Sequence, residues 1–136
     1  MKTYILDIIP KVKQFSKKLD DLSNLTKKHW VIFDIDSDDK IVYIFKKDDQ
    51  LLLLKNGKGS KESWEYIDDT SIQVTIGNDI FLFRIGFLDD QILALKLDNN
   101  SLEYSIFFNE NEIVNITTIK EVNNHIKIKY LTILIN

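Results

Sequence analysis

The sequence predicts a mainly β (α+β) protein: an N-terminal amphipathic helix followed by an antiparallel up-and-down meander of about eight strands. The meander is expected to close as a barrel or to form a strongly curved sheet. Three observations support this prediction. From His29 onward, apolar runs recur about every ten residues, Gly, Asn and Asp are frequent between them, and helical spacing is confined to the chain ends. Evenly spaced short strands with turn signals are typical of sandwiches and barrels.

The leading segment, residues 1–28, is predicted to be helical. Its apolar residues recur every three or four positions, which places them on one face of a helix and predicts packing against the sheet. They are Ile5, Ile8, Val12, Phe15, Leu19 and Leu22. Pro10 lacks a backbone N–H, so the helix either begins near Pro10 or is kinked before it.

The central segment, residues 29–110, is predicted to form the meander. Its connections are too short to hold a crossover helix, so neighbouring strands should be antiparallel. Runs such as "IVYIF", "LLLL" and "IFLF" are apolar on both faces and need cover on both sides, from barrel closure, a second sheet or the N-terminal helix. The expected strands are Trp30–Asp36, Lys40–Lys47, Gln50–Asn56, Lys61–Ile67, Ser71–Ile76, Ile80–Phe87, Gln91–Leu97 and Leu102–Phe108.

The final segment, residues 111–136, carries two competing patterns. Thr118 followed by Glu121 is a capping-box signature, which predicts a short helix from about Thr118. The alternating, β-branched "HIKIKYLTILIN" favours a terminal strand near Lys127–Ile135. Such a long apolar strand, if it lay at a sheet edge, could mediate homodimerisation.

Composition limits the function classes. The 136 residues are enough for one domain, 1–136, and the lack of cysteine excludes disulfides and thiolate chemistry. Residues 1–28 hold seven Lys and three Asp, a net charge of +4. Because the net charge of the whole chain is −3, residues 29–136 carry −7. We expect the basic leading segment to lie on its own acidic sheet, with an anionic partner as the alternative. Overall acidity and the single Arg84 argue against nucleic-acid binding.

Targeting signals are not evident in the sequence. The N-terminus lacks an uninterrupted apolar stretch of signal length, and no segment approaches the roughly 20 apolar residues of a membrane span. We therefore expect a cytoplasmic protein without a membrane partner.

Catalytic or cofactor chemistry has little support. His29 and His125 lie where elements begin or end, without the nucleophile and orienting acid of a triad. Alternate carboxylates at Asp34, Asp36 and Asp38 form a weak calcium motif, but the EF-hand glycine and glutamate positions do not match. We predict no catalytic residue and no cofactor, and hence a non-enzymatic protein.

A hydrophobic ligand site is the leading hypothesis. Aromatic residues of successive strands should converge inside the meander, where they either fill the interior or line a pocket. Glu110 follows the apolar "SIFF" and could orient a ligand at the barrel mouth, or could cap the next turn. The aromatic candidates are Trp64, Tyr66, Phe81, Phe83, Phe87 and either Phe107 or Phe108.

The stretches "KIVYIFKKDDQLLLLKNGKGSKESWEYID", "IFLFRIGFLDDQILALKLDN" and "EYSIFFNE" resemble a type of small, uncharacterised bacterial β-meander domain. The repeated strand–turn–strand order over about residues 40–110 also resembles lipocalin-like small barrels. The resemblance implies a meander and carries no catalytic residue onto this chain. The usual lipocalin disulfide and the G-x-W near the first strand are missing.

The sequence thus predicts a binding or interaction module, with a small apolar molecule in the barrel interior as the ligand. The alternative is an acidic inhibitor or immunity-type protein that neutralises a basic protein partner, because complementary charge sets partner choice. Its surface would be formed by turn carboxylates, which we expect to be solvated: Asp34, Asp36, Asp38, Asp68, Asp69, Asp89 and Asp90.

Overall fold

The strands close into a barrel. The computed structural model describes residues 3–32, 38–99, 101–112 and 118–131. Within them, each of eight strands pairs antiparallel with the next along the chain, and the eighth pairs with the first. The strands are β1 (Trp30–Ile32), β2 (Ile41–Phe45), β3 (Gln50–Lys55), β4 (Lys58–Asp68), β5 (Ser71–Ile76), β6 (Asp79–Leu88), β7 (Ile92–Leu97) and β8 (Ser105–Asn109). The predicted eight-stranded meander is confirmed.

The predicted N-terminal helix is wrong in its length. The α-helix α1 covers only Ile8–Val12, with Pro10 in its first turn, and is followed by 3₁₀ turns at Lys13–Phe15 and Leu22–Asn24. Ser16 is extended, and the backbone beyond it bonds to the barrel. The N–H of Lys17 donates to the carbonyl of Leu88 at 2.7 Å.

The segment from Lys17 to Lys27 closes one end of the barrel. The N–H groups of Leu19 and Lys27 donate to the carbonyls of Asp69 and Phe45, which lie at ends of strands. Leu19 and Leu25 are fully buried in the barrel interior. At the same end, lysines of the N-terminal segment form ion pairs with aspartates in the turns of the barrel. These pairs are Lys17–Asp90 at 2.6 Å, Lys18–Asp69 at 3.8 Å and Lys28–Asp90 at 3.7 Å. The expectation that the basic segment lies on its own acidic sheet is confirmed.

Two apolar clusters explain the strands that are apolar on both faces. In β7, Leu93 and Leu95 face the barrel interior, whereas Ile92 and Ala94 face outward and are covered by the terminal helices. Residues Ile80 and Leu82 on the outer face of β6 are 66% and 39% exposed, so the expected cover is missing there.

The C-terminal segment is helical where the structure describes it. The α-helix α2 covers Ile119–Ile126, and the Thr118 hydroxyl accepts the N–H of Glu121 at 3.1 Å, as the capping-box signature predicts. A π-helical turn, Lys127–Leu131, follows, so the predicted strand from Lys127 is wrong over these residues. The rest of that strand, 132–135, lies outside the described residues. None of the described helices is long and apolar enough to cross a membrane.

Candidate functional site

The barrel interior is packed at the closed end and hollow at the other. A cavity of about 530 Å³ lies at the open end, between the β5–β6 hairpin and the connection from β7 to β8. Its walls are apolar and come from β5, β6 and β7, because alternate side chains of each strand point inward. These wall residues are Ile76, Phe81, Phe83, Leu95 and Leu97.

The floor of the cavity carries two hydroxyl groups. Tyr43 of β2 and Ser105 of β8 line the cavity and are each only 3% exposed. No side-chain hydrogen bond joins either hydroxyl to another described residue, and neither oxygen is a completely buried atom that lacks a partner. Burial, and secondly the nearby Glu62 carboxylate, raises the pKa of Tyr43 to about 12, so its hydroxyl is a proton donor at neutral pH. An unbonded polar group in an apolar cavity is a natural contact for a ligand.

The rim of the cavity is polar and acidic. It is formed by Thr3, Asp79, Asn99, Ser101 and Glu103. The Thr3 hydroxyl donates to the Glu103 carboxylate, which fixes the start of the described chain at the mouth. Among the described lining residues there is no Lys, Arg or His.

The aromatic residues predicted for the site are only partly brought together. Phe81 and Phe83 line the cavity with their rings stacked at 5.9 Å, and their planes are 20° apart. Trp64 and Phe107 are buried in the interior cluster, where Trp64 packs edge-on against Phe45 and donates its indole N–H to the Lys46 carbonyl.

Three further residues of the predicted site lie elsewhere. Tyr66 is 42% exposed, and the half-buried Phe108 packs with the outer cluster. Phe87 is buried outside the barrel because Gly86 forms a β-bulge, which shifts the register between Ile85 and Phe87. One extra residue reverses the direction of every side chain after it.

Glu110 belongs to a separate polar cluster after β8. Its carboxylate lies 2.8 Å from the Lys40 ammonium and 3.3 Å from Nδ1 of His29, and its N–H donates to the His29 carbonyl. The bond from Lys40, and then that of His29, hold the pKa of Glu110 below its usual range despite partial burial. These contacts make Glu110 a partner of β1 and β2, and it is not among the residues that line the cavity.

The acidic turn candidates have different environments. Asp38 is exposed, and its proposed metal partners Asp34 and Asp36 lie outside the described residues. Asp68 caps Thr70, which lowers the pKa of its carboxyl. The expectation that Asp89 is solvated is wrong, because its side chain is buried and bonded to Lys129 and Tyr130.

Sequence reasoning missed ten cavity residues: the five at the rim, which are Thr3, Asp79, Asn99, Ser101 and Glu103, and five inside, which are Tyr43, Ile76, Leu95, Leu97 and Ser105. Strand alternation could have indicated their inward direction, since the register pairs Phe83 with Leu97 and Ile85 with Leu95. The position of the hollow, however, depends on which end the leading segment closes. No protein-family model, curated protein or solved structure matches this chain.

Proposed function

We propose that this protein binds a small apolar molecule in the open-end cavity and does not transform it chemically. The observation that carries the proposal is an apolar hollow of about 530 Å³ whose floor is formed by two buried hydroxyl-bearing residues, Tyr43 and Ser105. Ligand pockets typically have volumes of roughly 300–1,000 Å³, apolar walls and a few polar groups that orient the ligand. The closed barrel provides a rigid frame for such a pocket.

A homologous series of alcohols tests the proposal. Each added methylene that enters the cavity should contribute about 0.8 kcal/mol, or close to fourfold in affinity. Isothermal titration calorimetry with hexan-1-ol, heptan-1-ol and octan-1-ol should therefore show a steady rise in affinity along the series. Absence of saturable binding by all three alcohols would contradict the proposal.

A pair of matched substitutions locates the binding site. Leu97 lines the cavity and is 40% exposed, whereas Leu82 is 39% exposed on the outer face of β6. The change Leu97→Trp places an indole in the cavity mouth and should reduce octanol affinity at least about tenfold, the equivalent of two lost methylene contacts. Leu82→Trp adds the same bulk outside and should leave binding unchanged. Equal effects of the two variants would place the ligand elsewhere.

Binding to a basic protein remains the alternative function. Several carboxylates of its expected surface are already engaged by lysines of the same chain, which lowers the negative charge available to a partner. These pairs are Asp69 with Lys18, Asp89 with Lys129, and Asp90 with Lys17 and Lys28. Salt-sensitive co-purification with a cationic protein would favour this alternative.

A further inference from the structure

We infer that the open-end cavity selects apolar organic cations over apolar anions. This inference rests on the proposed function and specifies the ligand class. Its basis is the charge of the lining: Asp79 and Glu103 are acidic, and the described lining residues include no cation. Within the described part of the chain, no ion pair joins either carboxylate to a Lys, Arg or His.

The buried part of the site gives an independent reason to expect a ligand there. Tyr43 and Ser105 are at the floor and are each only 3% exposed, and no hydrogen bond joins their hydroxyls to another described residue. Buried hydroxyls and exposed carboxylates therefore line the same apolar cavity. A molecule with a hydrogen-bonding group, an apolar body and a cationic end satisfies both.

The apolar wall also suits a cation. The rings of Phe81 and Phe83 are stacked beneath the rim, and aromatic faces carry a partial negative charge that attracts ammonium groups. A carboxylate in the same position would lose part of its hydration and would face two like charges. The discrimination thus combines attraction of one charge with repulsion of the other.

Three probes of equal chain length separate the contributions: octylammonium, octan-1-ol and octanoate. We expect octylammonium to bind about tenfold more tightly than octanoate, a modest ratio because rim carboxylates are exposed and such ion pairs are weak. Calorimetric titrations at low and high salt should show that this ratio shrinks with added salt, because exposed charges are screened. The affinity for octan-1-ol should be nearly independent of salt.

Charge-neutralising variants assign the effect to the rim. The change Glu103→Gln, and the double change Glu103→Gln with Asp79→Asn, should progressively reduce the ratio of octylammonium to octanoate affinity. Glu65→Gln is the matched control, because Glu65 is exposed on β4 and does not line the cavity. In that control the ratio should not change.

The outcomes distinguish this inference from the proposed function. If none of the three probes binds, the proposed function is overturned and the inference fails with it. If octan-1-ol binds but octanoate equals or exceeds octylammonium, the cavity is a binding site without the inferred charge preference. If octylammonium is preferred but the double rim variant and Glu65→Gln leave the ratio equally unchanged, the assignment to Asp79 and Glu103 is refuted.

Discussion

Replacing Asp89 with alanine should destabilise the fold far more than the same change at its neighbour Asp90. Oδ1 of Asp89 accepts the backbone N–H groups of Gln91 and Ile92 at 2.8 and 2.7 Å. Its Oδ2 accepts from the Lys129 ammonium at 3.0 Å and from the Tyr130 hydroxyl. One buried carboxylate therefore closes the β6–β7 turn and holds the C-terminal segment on the barrel.

The magnitude follows from burial. The Asp89 side chain is 4% exposed, and its removal leaves two turn N–H groups without their acceptor and leaves the Lys129 ammonium with Gln91 as its remaining acceptor. We expect a loss of about 3–5 kcal/mol. The Asp90 side chain is 59% exposed and pairs with Lys17 and Lys28 at the surface. Solvent screening limits the cost of Asp90→Ala to about 1 kcal/mol or less.

Urea unfolding at neutral pH measures both free energies. Asp89→Asn keeps one acceptor oxygen and should fall between the wild type and Asp89→Ala. Tyr130→Phe removes a single donor and should cost about 1 kcal/mol. Equal losses of stability for Asp89→Ala and Asp90→Ala would refute the argument that burial of this carboxylate decides its contribution.

Two further predictions concern protonation and packing. Burial, and then the Lys129 ammonium, hold the pKa of His125 below its usual 6.5 against the opposing attraction of Asp89. The unfolded chain therefore binds this proton at higher pH than the folded protein, so the stabilising contribution of neutral His125 should be complete above about pH 6.5 and be lost as the pH drops through the lower folded pKa. The urea midpoint of His125→Gln should fall less over this pH range than that of the wild type. An identical decline in both proteins would contradict the assignment to His125. A Cβ at Gly86 would lie 2.8 Å from Cδ1 of Tyr104, so Gly86→Ala should cost about 1–3 kcal/mol. Thermal denaturation of Gly86→Ala combined with Tyr104→Ala should reveal coupling, whereas strict additivity would show that this contact is not the cause.

Local chemistry made much of the barrel predictable. Apolar runs separated by Asn, Asp and Gly predicted successive antiparallel strands, because such turns reverse the chain over a few residues. The Asn56–Gly57 turn between β3 and β4 is an example, with positive φ at both residues. The cap at Thr118 was equally local, since it joins residues three positions apart.

Long-range contacts overruled the sequence pattern at the N-terminus. The apolar stripe predicted one helix face, but Val12 packs outside the barrel, Leu19 packs inside it and Ile5 is 64% exposed. Apolar residues at helical spacing are expected to be buried, but the spacing does not show that all of them pack against the same surface. Backbone bonds from Lys17 and Leu19 to strand ends offered a better partner than further helical turns.

The sequence by itself determined the strand order and the turns, because these depend on neighbours along the chain. Only the tertiary structure decided where the hollow lies and which residues meet there. Tyr43, Phe83 and Ser105 belong to three different strands and converge only because the sheet closes. The leading segment fills one end of that barrel, and the bulge at Gly86 turns Phe87 out of it. These outcomes depend on closure and register, which are properties of the whole sheet.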